Sequence, residues 1–427
     1  MSENAKKILL IICDGMSDRP VPSLGGKTPM QIAKMPNMDA LAKNGICGIM
    51  DNIDKGVRPG SDTAHLAILG YDPYKIYTGR GPFEALGIGM ELEMGDVAFR
   101  CNFATVDENM VITDRRAGRI SEGTSDLAKS LNGLEIEGAK IIFKEAAEHR
   151  AVLVIRGKDL SGEVTDADPH SEGEKVAECM PTAEIRDGIK DKTRDKKLLD
   201  DADRTARIVN SFVRKSYEIL KDHRINVSRE KSGKPPANVV IPRGAGMAPD
   251  IEPFGKKYGI SSSCIAGIPL VRGLCRYAGM DIAEVSGATG GTDTDIRGKL
   301  SRAVSELQVK DFVLVNVKGC DIYGHDGDAL GKARFLEKID AAMGEIVSCT
   351  ADGVIVAITA DHSTPVTVKD HSGDPVPILI AGESARPDKV TSFDEISCAH
   401  GGLGRIRGRD LVPILLDLAN RSSKFGA

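Results

Sequence analysis

Phe312-Val313-Leu314-Val315-Asn316-Val317-Lys318-Gly319-Cys320-Asp321 is a nearly continuous apolar run that ends on an acid, with His325 four residues further on. Apolar residues here do not alternate with polar ones, which suits a strand buried on both faces of a parallel sheet. Val354-Ile355-Val356-Ala357-Ile358-Thr359-Ala360-Asp361-His362 repeats the pattern, and so does Ile8-Leu9-Leu10-Ile11-Ile12-Cys13-Asp14 near the start of the chain. Between and after these runs, strand-like segments (Ser261–Ile268, Val376–Ala381) alternate with helix-like ones (Pro36–Gly45, Leu330–Thr350, Asp410–Asn420). That alternation predicts an α/β fold built on a doubly wound, mostly parallel sheet. Ligands of such sheets bind beyond the carboxyl ends of the strands, which is where Asp14, Asp321 and Asp361 fall.

Working outward, the character of the chain changes in its middle. Tyr71–Met90 is rich in Gly and Pro and reads as a crossover. From Glu91 onward, alternating stretches such as Val97–Phe103 and Met110–Thr113 suggest half-buried antiparallel strands, joined by a further strand at Ala151–Arg156. Residues 183–204 are densely charged, as a solvated face would be, and 205–222 form an amphipathic helix. Strand character resumes at Asn238–Gly244. The expected organisation is a discontinuous domain of residues 1–88 and 237–427, interrupted by an inserted α+β domain of residues 89–236.

The 427 residues carry a formal charge of -5, and 28% of them are charged, which argues against general nucleic-acid binding. The apolar run at the start is too short for a signal core or a membrane span, so the expected location is cytoplasmic, with no membrane partner. Nine scattered cysteines contain no Cys-x-x-Cys pair, which disfavours a thiolate zinc site or a disulfide framework.

The chemistry lies in a few polar residues. Pro59-Gly60-Ser61-Asp62-Thr63-Ala64-His65 breaks the chain and opens a helix, with Ser61 expected as its cap and His65 one turn on along the same face. Most such serines are plain caps, and a lone histidine is more often structural than a ligand. Here, however, His325, His362 and His371 lie beside carboxylates at or near strand ends. With Asp14, Asp321 and Asp361 they make six oxygen and imidazole donors, too many for one open ion and suited to two. Donors of this type fit Mn²⁺, with Zn²⁺, Co²⁺, Fe or Mg²⁺ as alternatives. Asp114-Arg115-Arg116-Ala117-Gly118-Arg119 is a turn dense in guanidinium groups, a match for carboxylate or phosphate but also ordinary for a solvated turn.

These phrases, together with Gly319-Cys320-Asp321-Ile322-Tyr323-Gly324-His325-Asp326 and Asp370-His371-Ser372-Gly373, occur in an order that resembles the archaeal-type 2,3-bisphosphoglycerate-independent phosphoglycerate mutases, within the alkaline phosphatase superfamily. The resemblance spans nearly the whole chain. It implies an alkaline phosphatase-like fold with the insert as a substrate-binding cap. One divalent metal would be held by Asp321, His325 and His371, and a second by Asp14, Ser61, Asp361 and His362. It implies interconversion of 3-phosphoglycerate and 2-phosphoglycerate, in glycolysis and gluconeogenesis, through phosphoserine on Ser61 and without 2,3-bisphosphoglycerate. Lys318 would steady the phosphoryl group, and Asp168, or else Asp114 or His170, would shuttle the proton. Substrate would be bound by Asp114, Arg115, Arg116, Arg119, Arg156, His170, Arg243 and His65. The alternatives are a metal-dependent phosphatase or phosphotransferase acting on another small phosphorylated substrate and, lowest, a non-catalytic binding protein.

Overall fold

The computed structural model describes residues 5–187, 194–424 and 426. Part of the charged stretch 183–204 therefore lies outside the described residues. The chain divides into two compact units, one of residues 1–75 and 251–427 and the other of residues 76–250.

The first unit is built on an eight-stranded sheet. Its strands are β1 (Lys7–Cys13), β2 (Gly45–Asp51), β3 (Ser262–Ile265), β4 (Asp281–Ile282), β5 (Phe312–Val317), β6 (Val354–Thr359), β7 (Val376–Ala381) and β8 (Gly404–Arg407). Their order is β4-β3-β5-β1-β6-β7-β2-β8. Neighbours from β4 to β6 are parallel, β7 is antiparallel to both β6 and β2, and β8 is parallel to β2. The mostly parallel doubly wound sheet is as the sequence predicts. β1, β5 and β6 are buried along almost their whole length because helices cover both faces, hence their unbroken apolar sequences. The register sets Ile12 beside Asn316 on one side and Thr359 on the other, so the ends of all three strands open at one level.

The second unit holds a six-stranded antiparallel sheet centred on Val97–Val106, which pairs with Ile112–Asp114, Arg150–Arg156 and Val239–Met247. Alternation along the central strand sends Phe99, Cys101 and Phe103 into one core with Leu127, Ile141, Leu153 and Phe212. Ala98 joins Ala85, Met90, Val152 and Val154 in a separate cluster. Arg100 and Asn102 share the parity of Ala98.

Four expectations change. The unit boundaries fall at 75/76 and 250/251 rather than at 88/89 and 236/237, because Val239–Met247 hydrogen-bonds along Val97–Val106. Tyr71–Met90 is not plain crossover: Pro73 and Pro82, each at a helix start where a missing N–H costs nothing, open helices Pro73–Ile76 and Gly81–Gly87. The long helix expected over 330–350 is interrupted, ending at Ala341 and restarting at Gly344. The amphipathic helix of the second unit begins well before 205, running Arg194–Leu220. No helix among the described residues is long and apolar enough to cross a membrane.

Candidate active site

Helix Ser61–Ile68 begins one residue earlier than a serine cap would require. Gly60 is the N-cap, its N–H donates to Thr63 Oγ1 at 3.1 Å, and Ser61 is the first helical residue. Relieved of capping, the Ser61 hydroxyl lies 3.1 Å from His362 Nε2. The structure thus corrects the reading of Ser61 as a cap and brings it against the β6 end.

Each histidine of the cluster has its tautomer set from behind. His325 Nδ1 meets the Lys369 carbonyl at 3.0 Å and His371 Nδ1 the Pro59 carbonyl at 2.8 Å, so both protons sit on Nδ1. Thr364 Oγ1 donates to Asp321 Oδ1 at 2.7 Å and therefore accepts from His362 Nδ1 at 3.0 Å. All three rings are left with Nε2 lone pairs, the state a metal ligand needs. His325 and His371 aim Nε2 at Asp321 Oδ1, at 3.3 and 3.5 Å, and His371 stacks on His362 with ring centroids 3.5 Å apart.

Among the described residues, donor atoms close enough for one cation form two groups, Asp321/His362/His371 and Asp14/Asp361/His362. His325 stands outside both but within reach of Asp321. The electrostatics ask for positive charge. Burial, then the neighbouring Asp361 carboxylate, pushes the Asp14 pKa up to about 8. Burial holds His362 down to about 4 against the pull of Asp361. Lys318 bridges Asp14 Oδ1 at 3.2 Å and Asp321 Oδ2 at 2.7 Å, one ammonium among three carboxylates. Asp361 Oδ2 is buried without a hydrogen-bond partner, 3.3 Å from His362 Nε2. An orphaned carboxylate oxygen facing imidazole lone pairs, with no thiolate, fits a divalent cation of the Mn²⁺ or Zn²⁺ type.

His65, expected to touch substrate, is fully buried and saturated: Nδ1 donates to the Ser61 carbonyl at 2.6 Å and Nε2 accepts from Asn316 Nδ2 at 3.3 Å. It orients the helix start.

The second unit gathers a different kind of site. Register sets Arg100 opposite Arg243, two like charges side by side, and Asn102 opposite Arg150. With Arg115, Arg116, Arg119, Glu148 and His149 they line a pocket of about 240 Å³. Arg100 Nε, Arg243 Nε, Asn102 Oδ1 and His149 Nδ1 are buried there without hydrogen-bond partners. Arg119, Glu148 and His170 hold left-handed backbone, with φ of 52°, 55° and 65°, a strain of about 1–3 kcal/mol each that functional sites tolerate.

Four expected residues are engaged elsewhere. Asp168 is buried and clamped by Arg115 at 3.0 and 2.7 Å; burial raises its pKa, but Arg115, the His170 amide and Arg243 more than offset this and hold it low. It orients arginines and is a poor proton carrier near neutrality. Asp114 closes its own turn by accepting from the Arg116 and Gly118 amides at 2.7 and 2.8 Å. Arg156 pairs with Asp96 at 2.7 Å and Glu93 at 2.6 Å and does not line the pocket. His170, 55% exposed, pairs with Asp166 at 3.0 Å.

Comparison with known proteins decides the family. The chain is 50% identical to "2,3-bisphosphoglycerate-independent phosphoglycerate mutase 1" of Methanothermobacter thermautotrophicus, over 99% of this chain and all of that one. It is 51% identical to the Methanopyrus kandleri protein of the same description, over 99% of this chain and 98% of that one. The chain belongs to the 2,3-bisphosphoglycerate-independent phosphoglycerate mutases. The family's sequence profile matches residues 42–226. Among solved structures, "Cofactor-Independent Phosphoglycerate mutase from Thermoplasma Acidophilum" is 39% identical with a TM-score of 0.76, covering 97% of this chain and all of that one. A Pyrococcus horikoshii protein is also 39% identical, with a TM-score of 0.82.

Within this member of the mutase family, sequence reading passed over several residues. Asn316, which ties Asp14 to His65, was signalled only by being polar inside the buried β5 strand. His149 and Arg150 sit at the turn into Arg150–Arg156 with no local signal. Lys299 is buried, its Nζ donating to the carbonyls of Thr289 and Asn316 at 3.2 Å each. Burial lowers its pKa from 10.5 to about 8, against the raising pull of Asp14. The unfolded chain therefore binds one more proton between these values, and stability rises with pH across that window. Urea unfolding from about pH 8 to 10 should give the wild type a slope steeper than Lys299→Met by up to ~1.4 kcal/mol per pH unit. Equal slopes would mean that Lys299 stays charged in the fold.

Proposed function

We propose that this chain interconverts 3-phosphoglycerate and 2-phosphoglycerate through a phosphoserine on Ser61, without added 2,3-bisphosphoglycerate. The observation that carries the reading is the uncapped Ser61 hydroxyl, 3.1 Å from His362 Nε2 at the edge of the donor cluster. The first unit is the catalytic one and the inserted unit the substrate-binding cap. Asp14, Asp361 and His362 with Ser61, and Asp321 with His371 and His325, are the residues that would hold two divalent ions. Bound there, such ions supply positive charge for the phosphoryl oxygens and acidity for the serine hydroxyl.

The chain's own residues do the rest. Ser61 Oγ bonds to phosphorus as the bond from phosphorus to the glycerate oxygen breaks, and the proton that Ser61 gives up ends on that oxygen. The arginine pocket takes the glycerate carboxylate by paired N–H donors and keeps the molecule from escaping to water. His149 is the group suited to take that proton and return it, since burial, then Arg150, holds its imidazole neutral. The other glycerate hydroxyl then attacks phosphoserine and Ser61 is regenerated. A cytoplasmic enzyme of glycolysis and gluconeogenesis is the role this activity fills.

The test is an assay on 3-phosphoglycerate with Mn²⁺, following 2-phosphoglycerate and free phosphate together. Wild type should give 2-phosphoglycerate with little phosphate. Arg243→Met, losing about 1.5–3 kcal/mol of charge-assisted binding, should raise KM roughly 10- to 100-fold and shift product toward phosphate. Free phosphate as the main wild-type product would make the chain a phosphatase instead.

A further inference from the structure

Lys332 stands on helix Ala329–Ala341, outside the donor cluster, with a side chain that no solvent reaches. Its ammonium has three acceptors, the Ser17 carbonyl at 3.0 Å, Asp18 Oδ2 at 2.8 Å and the Thr364 carbonyl at 3.0 Å. These acceptors come from two different loops. Ser17 and Asp18 belong to the one that follows β1 and carries Asp14; Thr364 belongs to the one that follows β6 and carries Asp361 and His362.

The seam between the two loops is stitched further by small polar groups. The Ser17 carbonyl also accepts from Ser363 Oγ at 3.0 Å and from the Thr364 amide at 3.2 Å. Asp18 accepts from the Val366 amide at 3.2 Å. From Thr364 the chain of bonds runs straight into the cluster, since the threonine hydroxyl donates to Asp321 Oδ1 and accepts from His362 Nδ1. The Lys332 helix also packs on helix Gly319–Asp326, which carries Asp321 and His325, with the rings of Tyr323 and Phe335 6.0 Å apart. One buried ammonium thus touches or backs all three elements from which the cluster is drawn.

We propose that Lys332, with Asp18, is a positioning residue that fixes the spacing of the β1 and β6 donor loops and thereby sets the divalent-metal affinity of the cluster. The inference rests on the reading that the cluster holds such ions. An apolar side chain would fill the same space but would remove the ammonium that ties the Thr364 carbonyl to Ser17 and Asp18, and so loosen Thr364 against the β1 loop. Groups that hold metal ligands in place from behind are worth roughly 10- to 100-fold in metal affinity.

The test measures Mn²⁺ binding to metal-free protein from the electron paramagnetic resonance signal of free Mn²⁺, alongside thermal unfolding. Lys332→Met alone strands the Asp18 charge and risks misfolding, so the informative variant is Lys332→Met with Asp18→Asn, which removes both charges. Thr364→Val is a second arm that changes no charge. Both folded variants are expected to bind Mn²⁺ about 10- to 100-fold more weakly than wild type. Wild-type affinity in either folded variant overturns the proposal. Failure of the wild type to bind Mn²⁺ overturns the metal reading itself, and the two failures are thus distinct.

Discussion

Ser61→Ala should fold normally and lose 2-phosphoglycerate formation by at least ~10⁴-fold in kcat, the scale on which loss of an enzyme nucleophile is felt. The stability expectation follows from the helix start. Gly60 and Thr63 satisfy the cap, alanine is the best helix former, and the hydroxyl makes one side-chain contact, to His362. The change in unfolding free energy should stay within about 0.5 kcal/mol. Incubation with ³²P-labelled phosphoglycerate followed by acid quench should leave label on wild-type protein and none on the variant. Label retained on Ser61→Ala would move the nucleophile elsewhere.

Gly15→Ala should be among the most damaging single-methyl changes in the first unit. Gly15 has φ of 67°, and a Cβ there would stand 2.6 Å from Asp321 Cα and 2.8 Å from Thr364 Oγ1. The backbone conformation costs about 1–2 kcal/mol for a residue with a Cβ. Overpacking against backbone adds about 1–3 kcal/mol, giving roughly 2–5 kcal/mol together. The overlap also lies where the loops that carry Asp14 and His362 meet the helix that carries Asp321, so Mn²⁺ affinity should fall with stability. Gly25 is the comparison: its φ is 66° but nothing lies within 4 Å of a Cβ there. Gly25→Ala should cost only the conformational part, about 1 kcal/mol. Urea unfolding of the two variants reads the difference, and equal costs would show that the loops can part.

What could be read from the sequence follows from how local each signal is. β5 and β6 are recognisable because burial on both faces leaves no alternation, and each points an acid out of its end. Asp321 and His325 share a helix face at four-residue spacing. The cap reading of Ser61 fails because a serine after Pro-Gly reads as a cap whether or not glycine takes that place. Val239–Met247 was assigned to the wrong unit, since a strand's sequence does not say that its partner lies some 140 residues earlier, at Val97–Val106. Asp168 and Arg156 enter as site residues through the general character of the family's cap; their ion pairs with Arg115 and with Asp96 and Glu93 are long-range contacts with no sequence signature. Lys332 is invisible for the same reason, an amphipathic helix lysine whose acceptors lie in two distant loops.

The central strand β1 is made well before its two neighbours, β5 and β6, which lie about 300 and 345 residues later by their register. Until then Ile8–Ile12, wholly apolar, has no lateral partner and is a segment to be shielded from other nascent chains. The inserted unit, by contrast, is contiguous, and its sheet closes on strands all made between residues 97 and 247. It can therefore mature while the tail is still being translated, whereas the donor cluster cannot exist until the strand ending at Thr359 and the segment bearing His371 have left the exit tunnel. Any divalent ion held by the cluster could therefore enter only after those segments have emerged, and a C-terminal truncation upstream of them would forfeit the site.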